Sequence, residues 1–416
     1  MKTIWQRLKI YARLGWQMGT YSLLGLVWFV TFHVFVGTMA PRLGYLTMHR
    51  AIANDSPCFN PECDFSAFWP AGFLARAHAY GQIYQPERFL FWQRHILFAD
   101  AQRAAFFYPP QMLLPSALIS HLPFEQGFFV WTAVWVAISI LLLRWVRLSW
   151  VVILLSLLSP ADLWNMELGQ LGLIGDTLLV AGLLALMESP RQAGGLLGLL
   201  ACKPQIGILV PIVLLVQRGW RGLFSFVLMG GFLTLLTLMT FGWAVWPAYF
   251  VAGRRESAQV LNAVFSSTSY QNSGVSVFWM LRSFHAGLAV SYAVQAVSIL
   301  GAMLLTCWVW RQVNLSRIDR MALTVFLSLL ATPYGYTDDM VAWSIALAAL
   351  AERRGWRIDL LDVLFWLWPM LCTGVVMRTG ILFTPFVVVL AVGRTWVRAG
   401  LPVPHLPIRA AVLPRA

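Results

Sequence analysis

The stretch Cys58-Phe-Asn-Pro-Glu-Cys-Asp-Phe-Ser-Ala-Phe-Trp-Pro-Ala-Gly72 follows the first apolar run and opens the one long polar loop of the sequence. Asp64 lies at its centre, flanked by Phe65, Phe68 and Trp69. A carboxylate among aromatic rings is poorly solvated, and this environment suits a proton acceptor. Asp64 could instead cap a helix that begins near Ser66, because Asp is a common N-cap residue. Both interpretations remain open at this point.

The composition on either side of this loop indicates a membrane protein. Of 416 residues, 59% are hydrophobic and only 11% are charged, and the mean hydropathy is +0.70. Soluble domains carry about 25% charged residues. The 21 tryptophans fit interfacial aromatic belts. The net charge of +13 would suggest nucleic acid in a soluble protein, but the basic residues fall mainly in short loops on one side. We therefore predict no nucleic-acid partner.

The first apolar run, residues 16–39, follows Lys2, Arg7, Lys9 and Arg13. Basic residues before a first span predict a cytoplasmic N-terminus. The run is long for a signal peptide and no Ala-x-Ala site follows it, so we interpret it as an uncleaved anchor. Residues 40–125 are then predicted to lie outside, which is the periplasm if the source is Gram-negative.

Two helices and a short apolar segment are predicted in this outer region. Residues 66–79 are typical of an amphipathic helix, with Phe68, Ala71 and Leu74 on one face. A second helix is predicted at residues 86–105. The segment 108–122 is apolar but short and contains three prolines, which favours a re-entrant or interfacial segment over a span.

The positive-inside rule supports that topology, because it places Arg144 and Arg147 in the cytoplasm. We predict an all-α polytopic bundle of about 10–12 transmembrane helices, forming one membrane domain over residues 1–400 with a second outer loop at 243–285 and a disordered cytoplasmic tail at 401–416. Further spans are predicted at 126–143, 150–164, 169–187, a half-length pair at 192–202 and 205–217, 221–241, 286–310, 319–332, 338–351, 360–377 and 381–397. The half-length pair could instead be one helix broken at Lys203-Pro204.

Polar residues gather in the outer loops of this topology. They comprise Asp64, Arg76, Tyr108, Gln170, Arg254, Arg255, Asn272, Arg282, Asp338 and Asp339, with Lys203 and Gln205 at the break of the half-length pair. An ammonium flanked by leucines and isoleucines is costly in lipid and is functional by default. Pro204 frees nearby carbonyls, so a purely structural role for Lys203 is the alternative. Arg254 and Arg255 are more simply explained by contact with anionic headgroups. Asp338 is more simply explained as a helix-dipole partner. For Asp339 a dipole role and a site role are equally supported, and Asp176 is interpreted as a helix-packing partner near Thr177.

Five cysteines separate into two groups. Cys58 and Cys63 lie in the outer loop, where a disulfide is expected. A metal site is less well supported, because no His or Cys pair completes a tetrahedral set. Cys202, Cys307 and Cys372 fall within predicted spans and are interpreted as small packing residues.

The motifs, taken in order, resemble glycosyltransferase family 87, an integral-membrane family of the GT-C class. The resemblance covers roughly residues 60–350, and the ordered set of motifs, rather than any one motif, carries it. These motifs are Asp64-Phe-x-x-Phe-Trp-x-Ala-Gly72, Tyr84-x-Pro86, Phe107-Tyr-Pro-Pro110, Gly169-Gln170, the run 193–207 around Lys203-Pro-Gln205, Gln271-Asn-Ser273 with Arg282, and Ala331-Thr-Pro-Tyr334 followed by Asp339. Some members carry a His in the loop that in this chain ends in Asp338-Asp339.

The resemblance implies a multi-pass enzyme of the bacterial inner membrane with an active site facing the periplasm or exterior. It implies a polyprenyl-monophosphate-sugar donor, as in the mannosyltransferases of this class, and a glycan or glycolipid acceptor. It assigns the catalytic Asp to Asp64. The leaving phosphate needs cations, with Lys203 first and Arg76, Arg254, Arg255 or Arg282 as further candidates. Because the donor carries one phosphate, no metal or other cofactor is obligatory, and single displacement predicts inversion.

Two other functions compete with this one. A transporter of a lipid or small solute would fit a helix broken at Lys203-Pro204. The lack of internal repeats and the crowding of polar groups on one face argue against it. A non-catalytic lipid-binding or assembly protein would tolerate Asp64→Asn.

Overall fold

The computed structural model describes residues 64–97, 104–217, 219–266 and 269–402, together with position 25. It is 76% helical, and the described residues contain no strand, only an isolated bridge between Gly274 and Tyr336. The predicted anchor at 16–39, the Cys58–Cys63 pair and most of the predicted tail lie outside the described residues.

Among the described residues, four helices are long and apolar enough to cross a membrane: Phe124–Trp145, Trp220–Phe241, Leu288–Arg311 and Leu360–Thr379. A fifth span is possible if the helices Trp150–Leu157 and Pro160–Leu168, bent by 52°, count as one. The chain is therefore an all-α polytopic membrane protein.

The span predicted at 150–164 is wrong as one straight helix. It breaks at Ser159-Pro160, where the Ser159 hydroxyl caps the second helix by accepting from Asp162 N at 3.2 Å. Pro160 takes the first helical position, where its missing N–H costs nothing. A Ser-Pro pair of this kind starts a new helix.

Three buried helices form the centre of the bundle: Gly172–Ala185, Arg317–Ala331 and Val341–Arg353. Each packs against the other two, and all residues of Gly172–Ala185 are buried. The long helices Trp220–Phe241 and Leu288–Arg311 keep large apolar side chains exposed. In a bilayer these faces lie against lipid.

The region predicted to hold outer-loop helices contains Phe65–Arg76, Tyr80–Ile83, Pro86–Ile96, a 3₁₀ turn Pro110–Met112 and Leu113–Ile119. The first of these is less amphipathic than predicted. A β-carbon at Gly72 would lie 1.9 Å from the Ser116 carbonyl oxygen, so Phe65–Arg76 packs directly against Leu113–Ile119. The second predicted helix is shorter than 86–105, and no helix within 108–122 is long enough to span a bilayer.

The half-length pair consists of two short helices, Pro190–Gly198 and Val210–Val216, joined through a 3₁₀ turn Leu199–Cys202 and irregular backbone that includes Lys203-Pro204. Pro190–Gly198 packs closely on Trp220–Phe241, since a β-carbon at Gly194 would lie 2.0 Å from the Gly222 carbonyl oxygen. Small residues commonly allow such approaches between membrane helices. The remaining helical segments are Val245–Ala248, a π turn Tyr249–Gly253, Arg254–Asn262, Ser269–Asn272, Val277–Ser283, a 3₁₀ turn Thr337–Asp339 and Thr384–Arg398.

Candidate active site

Gln170 is the hub of a polar network at one end of the central helices. It follows Gly169, whose left-handed backbone (φ 66°) ends the helix Pro160–Leu168. The amide Nε2 donates to Asp64 Oδ2 at 3.0 Å. The amide Oε1 accepts from the Tyr108 hydroxyl at 2.8 Å, from Leu171 N at 2.9 Å and from Lys203 Nζ at 3.4 Å. One amide thus joins a carboxylate, a phenol and an ammonium.

Asp64 occupies the N-cap position of Phe65–Arg76, but its side chain makes no capping hydrogen bond. The carboxylate accepts from Gln170 instead. The cap interpretation therefore explains the position of Asp64 along the chain but not the direction of its side chain.

The aromatic residues next to Asp64 fix its backbone by packing into the core. Phe65 contacts Phe124, Phe128 and Trp131, with ring centroids 5.1–5.9 Å apart. Trp69 donates from Nε1 to the Leu122 carbonyl at 2.9 Å. These contacts hold the helix Phe65–Arg76 in place. Because Asp64 directly precedes this helix, its backbone is held in place as well.

Lys203 is buried at the break of the half-length pair, 4% exposed. The predicted apolar surroundings of its ammonium are wrong: Nζ lies 2.5 Å from Asp339 Oδ1 and 3.2 Å from Asp338 Oδ2. A buried ammonium needs such partners because desolvation of an unpaired charge costs several kcal/mol. We call Lys203, Asp338 and Asp339 the acid–lysine cluster.

Asp339 also forms a hydrogen bond with the backbone of its own turn. Its Oδ2 accepts from Tyr336 N at 3.3 Å, closing a capping box around the 3₁₀ turn Thr337–Asp339. Burial raises the pKa of the Asp339 carboxyl to about 6, with Lys203 opposing the shift and Asp338 adding to it. Asp339 can therefore change charge near neutral pH.

Two buried side chains hold the segment that presents the acids. Asn165 donates from Nδ2 to the Asp338 carbonyl at 3.1 Å and accepts from Leu173 N at Oδ1 at 3.1 Å. Asp176 Oδ2 accepts from Ala342 N at 2.7 Å, so the predicted helix-packing role is confirmed, with the N-terminal end of Val341–Arg353 as the partner. Gly172 fits beneath the same segment, because a β-carbon there would lie 1.8 Å from the Asp338 carbonyl oxygen.

Gln205 lies beside this cluster and not within its hydrogen-bond network as described. It lines a small cavity together with Asp176, Ser328, Thr332 and Asp339. Because Asp339 also lines this cavity, Gln205 and the acid–lysine cluster share one small space. Gln205 stays a predicted substrate-binding residue.

Two of the predicted arginines, Arg76 and Arg282, bind backbone carbonyls, and the other two are exposed. Arg76 donates to the Ser120 carbonyl at 2.8 Å. Arg254 and Arg255 are exposed on the helix Arg254–Asn262. Arg282 donates to the carbonyls of Ala286 at 2.8 Å and Ala263 at 3.0 Å, which ties its loop together. Within the described residues, Lys203 is the cation that reaches both Gln170 and the acids.

Asn272 is buried in the short helix Ser269–Asn272 and Tyr270 lies two positions before it. Tyr270 is not among the predicted site residues, and its ring contacts that of Tyr336 at a tilt of 45° with the centroids 4.6 Å apart. The sequence signal for it was its place beside the Gln271-Asn-Ser273 motif.

The family model for glycosyltransferase family 87 matches residues 106–333, more than half of the chain. The match includes Tyr108, Gln170 and Lys203, whereas Asp64, Asp338 and Asp339 lie outside it. No match was found among curated proteins or among solved structures. The matched region contains Gln170, the hub of the network. Among the described residues, it also contains the bent pair and three of the four helices long enough to cross a membrane, while Leu360–Thr379 lies beyond it. The chain belongs to glycosyltransferase family 87.

Proposed function

We propose that this membrane glycosyltransferase moves a sugar, mannose or a related hexose or pentose, from a polyprenyl-monophosphate donor to a hydroxyl of a glycan or glycolipid. The observation that supports the proposal is the Gln170 bridge, which sets the carboxylate of Asp64 and the ammonium of Lys203 on the two ends of one amide. A base and a cation are the two groups that this reaction needs.

The proposed reaction is a single displacement. The acceptor oxygen forms a bond to the anomeric carbon while the bond from that carbon to the donor phosphate breaks. The hydroxyl proton passes to Asp64, and the bonding electron pair leaves with the phosphate oxygen. The phosphodiester becomes a monoester and gains one negative charge, which Lys203 stabilises. The anomeric configuration inverts because attack and departure occur on opposite faces.

The acid–lysine cluster sets a condition on donor binding. Lys203 is paired with two carboxylates, so a phosphate that approaches it must replace at least one of them or meet it in protonated form. Burial raises the pKa of the Asp339 carboxyl, and we assign Asp339 as the carboxyl that is protonated when the phosphate binds. Donor binding then exchanges one anion for another at the same ammonium.

The proposal is tested with purified protein, a panel of polyprenyl-phosphate sugars and a membrane lipid extract as the source of acceptor. Mass spectrometry should show one donor converted to polyprenyl phosphate and an acceptor heavier by one sugar. The Asp64→Asn protein serves as the matched blank. Sugar transfer from a nucleotide sugar alone, with no lipid-linked donor consumed, would contradict the proposal.

A further inference from the structure

Three aromatic rings form a row beside the candidate active site. Phe107, Tyr270 and Tyr336 are all half-buried. The ring centroids of Phe107 and Tyr270 lie 6.4 Å apart, and those of Tyr270 and Tyr336 lie 4.6 Å apart, with tilts of 41° and 45°. We call these three residues the aromatic row. They come from three distant parts of the chain, so the fold and not the local sequence brings them together.

The two ends of the row connect to the two halves of the site. Phe107 directly precedes Tyr108, whose hydroxyl donates to the Gln170 hub at 2.8 Å. Tyr336 donates from its backbone N to Asp339 Oδ2 at 3.3 Å, within the acid–lysine cluster. The row therefore joins the part of the site that holds the proposed base to the part that holds the proposed cation.

The middle of the row lies near Asp64. Burial raises the pKa of the Tyr270 phenol well above its ordinary value, and Tyr336 and Asp64 raise it further. The effect of one charge on another group falls off with distance, so Asp64 and the Tyr270 phenol are close together.

One side of the row is packed and held in place. Tyr270 and Tyr336 pack against a small hydrophobic cluster that includes Phe278 and Trp279. The backbone bridge between Gly274 and Tyr336 joins the two segments that carry these tyrosines. The rings are therefore positioned before any ligand binds.

The exposed part of the row is largely apolar. Phe106 belongs to the main hydrophobic core of the described residues, whereas Phe107 does not and is half-buried. The Tyr336 hydroxyl has less than 1 Å² of accessible surface, so the exposed part of Tyr336 is not its hydroxyl. Ligand pockets typically combine aromatic side chains with a few placed polar groups. The row and the Gln170 network together form such a combination.

We propose that the aromatic row binds the sugar ring that is transferred, an inference that rests on the proposed function. One face of a pyranose carries C–H groups whose hydrogens are slightly positive, and the face of an aromatic ring is negative. The rings therefore attract and orient that face of the sugar. The donor sugar is favoured over a sugar of the acceptor, because the donor sugar has to reach both the base and the cation.

Binding of two lipids to the purified full-length protein tests the proposal: the polyprenyl-phosphate sugar that the protein consumes, and polyprenyl phosphate without a sugar. We expect the parent to bind the sugar-bearing lipid more tightly. Phe107→Leu and Tyr270→Leu should each weaken binding of that lipid roughly two- to tenfold, the effect of one aromatic contact, and leave binding of polyprenyl phosphate unchanged. Tyr270→Phe, the conservative variant that keeps the ring, should retain the preference for the sugar-bearing lipid.

Phe91→Leu is the matched control, because Phe91 is exposed, contacts the ring of His95 and lies outside the row. It should bind both lipids as the parent does. Thermal unfolding checks each variant, and if Tyr270→Leu does not fold, Phe107→Leu decides.

Two results would overturn the proposal. They are unchanged binding of the sugar-bearing lipid in the leucine variants, and an equal loss of affinity for both lipids. A parent that consumes no polyprenyl-phosphate sugar would contradict the proposed function itself and this inference with it. Because that result appears in the parent before any variant is compared, the two failures can be told apart.

Discussion

The amide nitrogen of Gln170 donates to Oδ2 of Asp64 across 3.0 Å. The direction of this bond is fixed by the other end of the amide, where Oε1 accepts from the Tyr108 hydroxyl and from Leu171 N. Because the oxygen faces donors, the nitrogen has to face Asp64. The carboxylate is therefore held by a donor that cannot reverse its orientation without breaking several other bonds.

Asp64→Asn should lower sugar transfer by about 10²–10⁴-fold, the usual effect of removing a general base. The helix Phe65–Arg76 should be unaffected, since Asn caps about as well as Asp and the Asp64 side chain makes no capping bond. Transfer is measured with a verified donor and acceptor, and thermal unfolding reports folding. Glu188→Gln, at an exposed ion pair with Arg317, is the control. A rate within a few-fold of the parent would remove Asp64 as the base.

Gln170→Met should reduce kcat by up to about 10²-fold while donor KM changes less, because Asp64 loses the group that orients it. The Tyr108 hydroxyl also loses its acceptor, so unfolding should occur at a lower temperature. Steady-state kinetics and thermal unfolding are measured together. Gln217→Met, which removes an amide bound to the Trp310 carbonyl away from the site, is the control. An unchanged kcat with lowered stability would make Gln170 a structural residue only.

Lys203→Gln should weaken binding of the polyprenyl-phosphate donor, because the phosphate loses its ammonium. Lys203→Arg should restore only part of the affinity, since a planar guanidinium differs from a compact ammonium. Donor binding is measured directly with the variants in detergent. Arg191→Gln is the control, because Arg191 is exposed and is not among the predicted site residues. Unchanged donor affinity in Lys203→Gln would exclude Lys203 from the phosphate site.

Donor affinity should rise as the pH falls through about 6. The pKa of Asp339 is raised from its ordinary value to about 6, so the carboxyl is charged above this pH and neutral below it. Protonation removes one of the two anions that compete for Lys203. We expect an increase of about tenfold, equivalent to roughly 1.4 kcal/mol. Asp339→Asn should bind donor tightly at both pH values, and a pH step that persists in this variant would assign it to another group.

The predicted topology places Glu87 and Arg398 on opposite sides of the membrane. Single cysteines at these two exposed positions should react with an impermeant thiol reagent in intact cells at position 87 only. Position 398 should react after permeabilisation. The asymmetry follows from the arginine-rich loops, which favour the cytoplasm. Labelling of position 87 only after permeabilisation would invert the topology.

The candidate-site residues that could be predicted from the sequence are those whose type is unusual for their neighbours along the chain. Lys203 stood out because a lysine among leucines is costly in lipid, and Asp64 stood out because an acid begins an aromatic-rich helix. Asp338 was assigned to the helix dipole, yet its Oδ2 contacts a lysine 135 positions earlier in the chain. A sequence shows that a buried charge needs a partner, but several acids could serve. Which of these acids pairs with the lysine depends on how separate helices pack.

The supporting residues were the hardest to predict. Asn165 and Asp176 form hydrogen bonds with backbone groups of a segment more than 160 positions away. Every residue has such backbone groups, so the sequence of the partner segment does not indicate these bonds. The break at Ser159-Pro160 could have been predicted, because Ser before Pro at the first helical position is a start signal. The span at 150–164 was predicted from hydropathy alone, which does not show this break. The break sets the positions of Asn165 and Gln170.

The pairing of Lys203 with Asp338 and Asp339 also constrains how the protein is made. A ribosome that adds about 5–20 residues per second delivers the acids roughly 7–27 s after the lysine they neutralise, 135 residues earlier. During that interval the ammonium has neither partner and has to remain in contact with water. The segment around Lys203 can therefore settle into the bundle only when translation is nearly complete. A chain that stops before residue 338 should be left with an exposed lysine in an apolar helix break, and cellular quality control should remove it.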